Sequence, residues 1–435
     1  MKLFQQLLVA GTAMSLIAPI GVQASEVNLE DMNSYSGSNS KTKRFDSKTF
    51  INKVNEDLAI LNGRIDGLEA RQNNFEAGSF SDTTTLDGKA IFTLAATDHT
   101  KVKTDGTDSL TANYTYQMNL NTSFTGDDNL YVRLKGGEQG DQWKNVSTYH
   151  IETKDTSDAF KVDKIWYSFN VGDDLTAFVG PRIENYYMYI TPSIYQPGVL
   201  KSMKLGGNSN FGASTDVGFG FKWENDAGFG IASNIVSKEA DGSGGLLGST
   251  DKNKWDTQLA YTKDNWHASV TMSRGQNWES QSYNATSLAA AMGKSTSQGS
   301  GDTQGYALRA YWRPDDAGSA TPEVSVGYDT KSVVGDFGPS GTAKEADSYF
   351  VGFTWRDMFQ DDDRIGLAFT QPLKVTEVTG GGATGEVDPF IWEAYYSFRP
   401  NDSVEIRPAI FGGTDVYADT ADDIFGAVVT SVFKF

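Results

Sequence analysis

The sequence predicts an all-β transmembrane fold, an antiparallel β-barrel of about sixteen strands preceded by a short coiled-coil helix. Three observations support this prediction. From about residue 89 to residue 435, apolar and polar side chains alternate along the chain. Short Asp-rich turns alternate with longer loops rich in Gly, Ser and Thr. Four tryptophans lie beside the short turns, on the apolar phase of their strands: Trp223, Trp266, Trp312 and Trp355.

The clearest strand signal runs from Ser109 to Phe124. Every odd position holds a small polar residue, and the even positions are apolar or aromatic except for Thr122. Successive side chains of a strand point to opposite faces, so one face meets an apolar medium and the other meets water or polar groups. The run exceeds the ~5–6 residues of a typical soluble strand, and a strand that crosses a bilayer needs ~9–11. We read its neutral face as pore wall or protomer contact.

Turn lengths and tryptophans orient the predicted barrel. Short turns at one end and long loops at the other are typical of outer-membrane barrels, whose short turns face the periplasm. An even number of strands would put both ends of the barrel on that side. Tryptophan belongs at the membrane–water interface, and the four tryptophans would form one aromatic girdle there. The alternative is the core of a soluble β-sandwich, which would not require the tryptophans to cluster at one end.

The amino-terminal region divides into segments of different composition. Residues 1–24 fit a signal peptide, with a basic start, an apolar stretch and small residues at the cleavage site, so we expect export from the cytoplasm. Residues 25–44 are rich in Ser, Asn and Lys, which indicates a flexible periplasmic tether. Residues 45–77 are the predicted coiled-coil helix, residues 78–88 a linker, and residues 89–435 the transmembrane barrel.

The predicted helix carries a heptad pattern. Its apolar positions follow an alternating spacing of three and four residues, with Gln72 as the one polar member: Ile51, Val54, Leu58, Leu61, Ile65, Leu68 and Phe75. One such helix cannot bury its stripe alone. We favour a short coiled coil that joins copies of the protein, located in the periplasm. The alternative is an amphipathic helix packed on its own chain.

Composition and motifs exclude several functions. The formal net charge is −19, which argues against a nucleic-acid partner, and the chain has no cysteine for disulfides or thiolate chemistry. The Asp-rich turns lack the ligand spacing of a calcium loop, so turn formation explains them better. Only His267, beside Ser269 on the polar phase, hints at hydrolytic chemistry. We therefore expect no enzymatic activity, metal or cofactor.

Charged residues on the polar phase of the strands would face the lumen. Opposed charges inside a water-filled pore set a transverse field and tune ion preference. The predicted pore-lining and selectivity residues are Arg133, Lys135, Arg182, Glu184, Lys222, Arg309 and Arg407. The same phase carries Lys164, Arg364, Asp216, Asp256, Glu323, Glu393 and Glu405. The alternative for each residue is a solvated wall position without special selectivity.

One long loop is rich in aromatic residues. It follows the strand that ends near Ile183, and we predict that it folds into the lumen and narrows the pore. Its aromatic rings could then stack on sugar rings. The residues predicted for this constriction are Tyr186, Tyr187, Tyr189, Tyr195, Lys201 and Lys204.

The whole arrangement resembles a known family. The final residue, Phe435, shares a strand face with Val429 and Phe433, and this ending resembles the signal read by the outer-membrane assembly machinery. A signal peptide, a short coil that includes Leu61 to Glu69, a linker and a Phe-ended barrel resemble cyanobacterial outer-membrane porins of the OprB-like, carbohydrate-selective family. The resemblance covers about residues 45–435. It implies passive diffusion of small solutes and inorganic ions, often through trimers.

The sequence departs from the family pattern in one respect, and two other classes of protein are alternatives. Members of the family commonly carry a periplasmic S-layer homology domain, whereas only residues 25–44 separate the signal peptide from the coil, so we expect a short form. We expect a homotrimer in the lipid of the outer membrane, with small hydrophilic solutes in transit. The alternative is a secreted or surface-associated β-rich binding protein or adhesin. An energised receptor would need a large plug domain, which the segment before the barrel cannot supply.

Overall fold

The computed structural model describes most of the predicted barrel. The described residues are 83–98, 110–139, 154–207, 216–238, 245–248, 251–280, 285–293, 302–315, 321–335, 339–385, 388–415 and 423–435. The predicted signal peptide, tether and coiled-coil helix lie outside the described residues.

Sixteen antiparallel strands form one closed barrel in which consecutive strands are neighbours. Strand β1 pairs with β16, from Lys89 opposite Lys434 to Thr97 opposite Gly426. The prediction of an antiparallel barrel of about sixteen strands is therefore confirmed. The strands are β1 (Thr84–Thr97), β2 (Thr111–Thr122), β3 (Asn129–Glu138), β4 (Lys161–Val171), β5 (Leu175–Arg182), β6 (Val217–Glu224), β7 (Phe229–Ser237), β8 (Asn253–Lys263), β9 (Trp266–Gln276), β10 (Asp302–Trp312), β11 (Glu323–Val334), β12 (Ala343–Arg356), β13 (Arg364–Val378), β14 (Phe390–Asn401), β15 (Val404–Thr414) and β16 (Ile424–Lys434).

Exposed and buried side chains alternate along the strands, as the period of two requires. In β9, Trp266 and Met272 are exposed on the outer face, whereas His267 and Thr271 are buried on the inner face. Trp266 lies directly opposite Trp312 of β10, and their rings stack with centroids 5.8 Å apart. Aromatic pairs of this kind fix the register between neighbouring strands.

Two of the short turns are organised by a single aspartate. The carboxylate of Asp128 accepts hydrogen bonds from the backbone N–H groups of Phe124 (2.9 Å) and Thr125 (2.8 Å), and from the hydroxyl of Tyr167 on β4 (2.7 Å). These bonds satisfy turn donors and tie the turn to the next strand along the wall. The observed bonding gives Asp128 a role in the turn, in line with the preference for turn formation over calcium binding.

The turn between β12 and β13 repeats this arrangement. The carboxylate of Asp363 accepts from the N–H groups of Met358 (2.8 Å), Phe359 (3.0 Å) and Gln360 (3.2 Å). It also accepts from the hydroxyl of Tyr396 on β14 (3.0 Å). Both turns have similar sequences. The first turn combines F-T-G-D-D (residues 124–128) with Y-S-F of β4 (residues 167–169), and the second combines F-Q-D-D-D (residues 359–363) with Y-S-F of β14 (residues 396–398).

Part of the barrel interior is apolar. A buried cluster joins the inner faces of β1 and β12–β16 to the segment that follows β5: Ala95, Tyr195, Val199, Leu200, Met203, Phe350, Ala368, Ile391, Tyr395, Ala409, Phe411, Ile424 and Val428. A second cluster packs the short helix α1 (Ser287–Ala290) and its neighbours against the inner faces of β12 and β13. The hydrophobic core of this protein therefore lies inside the barrel, beneath segments that fold inward.

The helices in the described part of the chain are short. Besides α1, two 3₁₀-helices span Asn185–Met188 and Lys201–Gly206. No helix among the described residues is long and apolar enough to cross a bilayer.

Candidate functional site

The segment from Ile183 to Gly207, which we call the inner loop, lies inside the barrel. It leaves the wall after β5 and makes hydrogen bonds or ion pairs with side chains of β3, β4, β8, β10, β11, β14 and β15. Because these strands lie on widely separated parts of the barrel, the inner loop crosses the lumen. The inner loop contains the six residues predicted for the constriction, and its narrowing of a pore stays a prediction.

Glu393 of β14 is the main anchor for the middle of the inner loop. Its two carboxylate oxygens accept hydrogen bonds from the N–H groups of Gly198 (2.7 Å), Val199 (3.0 Å) and Leu200 (2.7 Å). The Tyr195 hydroxyl donates a fourth bond of 2.8 Å to the same carboxylate. The carboxylate is fully buried, and bonds to a charged acceptor are stronger than neutral ones. This site therefore holds the loop against β14.

Asp256 and Gln258 of β8 hold the first part of the inner loop. The Tyr189 hydroxyl donates to Asp256, and Lys254 forms an ion pair with the same carboxylate at 3.1 Å. Gln258 accepts from the N–H of Ile190 at 2.8 Å and donates to its carbonyl oxygen at 3.0 Å. The amide of Gln258 thus replaces the hydrogen bonds that this backbone would otherwise make with water.

Arg309 of β10 holds the end of the inner loop. Its guanidinium forms a buried ion pair with Asp329 of β11 at 2.8 Å and donates to the carbonyl oxygen of Leu205 at 2.8 Å. The loop lies so close to the wall here that a Cβ at Gly327 would overlap the carbonyl oxygen of Gly206. Glycine at position 327 is what allows this approach.

Glu184 ties the start of the inner loop to β3 and β4. Its carboxylate forms ion pairs with Arg133 (3.0 Å) and Lys164 (3.3 Å), and Arg133 also pairs with Asp163 (2.6 Å). Burial raises the pKa of Glu184, but the charges of Lys164 and Arg133 outweigh it and lower the pKa to about 2. The carboxylate therefore stays ionised in the ordinary pH range.

The four tyrosines of the inner loop have different environments. Tyr189 and Tyr195 are buried, and their hydroxyls donate to wall carboxylates. Tyr186 is half-buried, with the Lys204 ammonium 4.1 Å from its ring centroid and 2.7 Å from its hydroxyl. Tyr187 is exposed. Stacking on sugar rings, as the sequence suggested for these rings, is therefore open to Tyr187 but not to Tyr189 or Tyr195, which act as anchors.

Most of the predicted pore-lining residues lie on the inner face of the wall, but their exposures differ. Arg133, Arg309 and Arg407 are buried, the last two beneath the inner loop, and Arg407 donates to the carbonyl oxygen of Pro197 at 3.4 Å. Lys135 and Lys222 are half-buried. Arg309 and Arg407 lie between the wall and the inner loop and donate hydrogen bonds to the loop. They therefore hold the loop in position and do not line the open part of the lumen.

The structure does not place Arg182 in the lumen. A register shift between β4 and β5 puts Arg182 opposite Ile165, a residue of the outer apolar phase, and Arg182 is exposed. The next residue, Ile183, is buried in a cluster with Trp166 and Met188. Strict alternation from Leu175 predicted an inward Arg182, and the extra residue of a β-bulge reverses the phase.

Sequence reasoning missed a second inward segment, which lies between β9 and β10. Lys331 of β11 donates to the Ser280 hydroxyl (2.8 Å) and to the carbonyl oxygens of Met292 (3.3 Å) and Trp278 (3.4 Å). The inward apolar residues of β12–β16 were also missed. The available signal was the presence of Phe350, Ile391 and Phe411 on the polar phase.

Two features of the inner surface bear on possible chemistry, namely its potential metal ligands and the His267–Ser269 pair. Among the described residues, no group of three or more His, Asp or Glu side chains is arranged to hold a metal ion. His267 bonds to Thr262 (2.7 Å) and Ser269 (3.0 Å) and stacks on Tyr311 with a centroid distance of 4.7 Å. Since His267 is almost fully buried in this contact, the pair with Ser269 has a packing role in the wall.

Comparison with solved structures identifies the same fold in outer-membrane porins. OprB of Pseudomonas putida aligns with a TM-score of 0.55 at 12% identity, over 81% of this chain and 94% of that one. The anion-selective porin of Comamonas acidovorans gives 0.54 at 11% identity, over 81% and 99%. The trimer form of OmpT of Vibrio cholerae gives 0.51 at 10% identity, over 81% and 99%. The chain thus has the barrel fold of porins.

Two sequence relatives come from cyanobacteria. An uncharacterised protein of Nostoc sp. is 24% identical over 418 residues, which are 87% of this chain and 70% of that protein. An uncharacterised protein of Synechocystis sp. is 26% identical over 399 residues, which are 82% and 69%. No protein-family profile matches the chain.

Proposed function

We propose that this protein is an outer-membrane porin, a passive diffusion channel for small hydrophilic solutes. The observation that carries the proposal is the inner loop, held across the lumen of a closed sixteen-stranded barrel by buried side chains of the wall. A barrel that only anchored a surface domain would not need such a loop. A channel does, because the loop sets the width of the water path.

The finer assignment follows the resemblance in the sequence. We propose a short form of the OprB-like porins, exported by its signal peptide, inserted through the ending at Phe435, and joined as a homotrimer with the coiled coil in the periplasm. The trimer form of Vibrio cholerae OmpT supports the oligomeric state by analogy of fold. Inorganic ions and carbohydrates are the candidate solutes. The channel needs no cofactor and carries out no chemical reaction.

Conductance tests this function directly. The purified protein in a planar bilayer is expected to give stepwise currents in KCl. Sugars of increasing size are then added to one side, since a sugar that enters the pore lowers the current and one that is too large does not. A preparation that is folded and inserted but gives no steps above the bare bilayer would contradict a channel. Recovery of the native protein as a soluble monomer without detergent would contradict a membrane barrel.

A further inference from the structure

Two groups of ion pairs at the short-turn end of the barrel share one arrangement. Glu323 lies between Arg313 (2.5 Å) and Arg356 (3.0 Å). Glu405 lies between Arg364 (3.4 Å) and Lys434 (3.7 Å). We call these the basic triads. Each contains two cations and one carboxylate, so each has an excess of positive charge.

Both basic triads belong to the inner face of the wall. Glu323 lies two residues before Ser325 and therefore on the same face of β11. The Ser325 hydroxyl accepts a hydrogen bond from the N–H of Ile194 in the inner loop at 3.3 Å. Glu405 lies two residues before Arg407 on the same face of β15, and Arg407 contacts the inner loop at Pro197. Because residues two apart on a strand share a face, the carboxylates at the centres of the triads face the lumen.

Three of the four cations of the triads are much more exposed than the carboxylate they pair with, whereas the Arg364 side chain is 11% exposed and nearly as buried as Glu405. The Glu323 side chain is 1% exposed, against 50% for Arg313 and 33% for Arg356. The Glu405 side chain is 8% exposed, against 42% for Lys434. Glu405 also accepts a hydrogen bond from Ser397 at 2.8 Å. An ion in the lumen therefore meets positive charge first, with the negative charge behind it.

A second basic surface lies where the inner loop meets β3 and β4. Within the described part of the chain, Asp163 and Glu184 are its acidic members. Its basic members on the wall and on the loop are Arg133, Lys135, Lys164, Lys201 and Lys204. Among the described side chains of this surface, the basic ones thus outnumber the acidic ones.

Two other groups of charges in the described part of the chain leave this excess in place. Beneath the inner loop, cations and carboxylates are matched one to one, with Lys254 beside Asp256 (3.1 Å) and Arg309 beside Asp329 (2.8 Å). Exposed aspartates of the short turns, such as Asp173 and Asp174, lie at the rim in bulk water, whereas Asp128 and Asp363 are buried by the hydrogen bonds of their turns. Salt screens exposed charges over about 8 Å at physiological ionic strength, whereas a narrow lumen with a low-dielectric wall focuses the field of its own charges.

We propose that the channel prefers small inorganic anions to cations, although the whole chain carries a net charge of −19. The inference rests on the proposed channel function. The basic triads attract anions at the short-turn end, and the basic surface beside the inner loop continues the attraction through the narrow part. Among the described residues, exposed aspartates of the short turns such as Asp173 and Asp174 lie at the rim, outside the lumen.

Reversal potentials in a KCl gradient across a planar bilayer test this proposal. The wild-type protein is expected to show a higher permeability for chloride than for potassium. The variant with Arg356→Gln and Lys434→Gln removes one exposed cation from each triad. Since one unit charge several ångströms from an ion changes its local concentration by about twofold in water, the chloride-to-potassium ratio should fall about fivefold or more. Glu323→Gln should shift the ratio in the opposite direction.

A matched control separates the lumen from the rim. The variant with Asp173→Asn and Asp174→Asn changes two charges on the turn between β4 and β5 and should leave the ratio nearly unchanged. If the double cation variant does not insert, Arg313→Gln alone, at the most exposed position, is used in its place. A wild-type channel that prefers potassium, or a triad variant that conducts with an unchanged ratio, would overturn the anion preference and leave the porin function intact. A folded wild type without conductance would instead refute the porin function itself.

Discussion

Single carboxylates fix the inner loop against the wall. Glu184 does so with two cations, and Glu393 does so with three backbone N–H groups and one hydroxyl. The two sites differ in chemistry. Glu184 is held by charge, whereas Glu393 gives a turn of the backbone the acceptors that water would otherwise supply. Substitutions at these positions therefore change the loop without touching the outer face of the barrel.

Glu393→Gln should weaken the middle anchor of the inner loop. The amide retains one acceptor oxygen, so part of the charge-assisted bonding to Gly198, Val199 and Leu200 is lost. We expect a loss of about 1–3 kcal/mol in the free energy of unfolding and more current fluctuation in the open channel. Urea unfolding in detergent and single-channel recording measure the two effects. The control is Glu377→Gln, whose carboxylate is exposed and pairs with Lys344. Equal effects of the two substitutions would contradict the anchor role.

Lys201 gives the channel a pH dependence. Burial lowers the pKa of Lys201 to about 8, and the unfolded chain has the ordinary value of ~10.4. Raising the pH from about 7 to about 9 therefore removes a positive charge from the folded inner loop. The folded state releases this proton before the unfolded state does, so stability increases with pH in this range.

The expected result is a fall in the chloride-to-potassium permeability ratio as the pH rises through 8, measured from reversal potentials. Lys201→Met should show the lower ratio already at neutral pH and little further change. Lys263→Met, at the exposed short-turn rim, is the control and should keep the wild-type pH profile. A wild-type ratio that stays constant through this pH range would rule out Lys201 as the titrating group.

At the scale of elements, strands and turns follow local rules, and the inward segments do not. The short turns are built by aspartates that accept backbone N–H groups and a tyrosine hydroxyl from the following strand. The inner loop has no comparable local order apart from two short 3₁₀-helices. Its shape depends on partners that are far away in the sequence, such as Glu393 for Gly198.

Asp363→Ala tests the turn arrangement. The substitution leaves the N–H groups of Met358, Phe359 and Gln360 without their shared acceptor. Asp363 is buried, so the free energy of unfolding should fall by about 1–3 kcal/mol. Asp361→Ala, at an exposed position of the same turn, should change it by less than about 0.5 kcal/mol. Chemical denaturation of both variants in detergent provides the comparison, and a similar loss in both would exclude a special role for Asp363.

For the whole molecule, the inner loop and the closed barrel together determine the water path. The barrel supplies a wide ring of strands, and the loop with its apolar cluster fills the side next to β12–β16. The remaining lumen is bordered by the basic surface on β3 and β4. In the proposed channel, conduction thus depends on the assembled wall and loop, and no single residue accounts for it.

Replacing residues 186–204 by a short Gly/Ser linker should raise the single-channel conductance, because the segment that crosses the lumen is removed. Stepwise currents in KCl measure the change. The control is a linker of the same composition in place of residues 381–385, a long-loop-end segment between β13 and β14. Unchanged conductance in the first variant, with the barrel intact by circular dichroism, would show that the inner loop does not narrow the pore.

Local patterns in the sequence are sufficient to predict the barrel. Alternation, turn spacing and interfacial tryptophans depend on each strand and its own environment, so they are readable one segment at a time. The sequence also predicted that the segment from Tyr186 to Lys204 folds inward, because this segment is long and aromatic for an external loop. The coiled-coil and signal-peptide predictions lie in residues 1–77, outside the described part of the chain.

Tertiary contacts determine which residues of the lumen anchor the inner loop and which meet water. Arg309 lies on the polar phase of its strand, and Tyr189 and Tyr195 lie in the loop predicted to enter the lumen. All three are nevertheless buried against partners that closure of the barrel brings close. Arg182 turns outward because a bulge between two strands reverses its phase. Alternation reports which face a side chain takes, and exposure on that face depends on the segment that covers it.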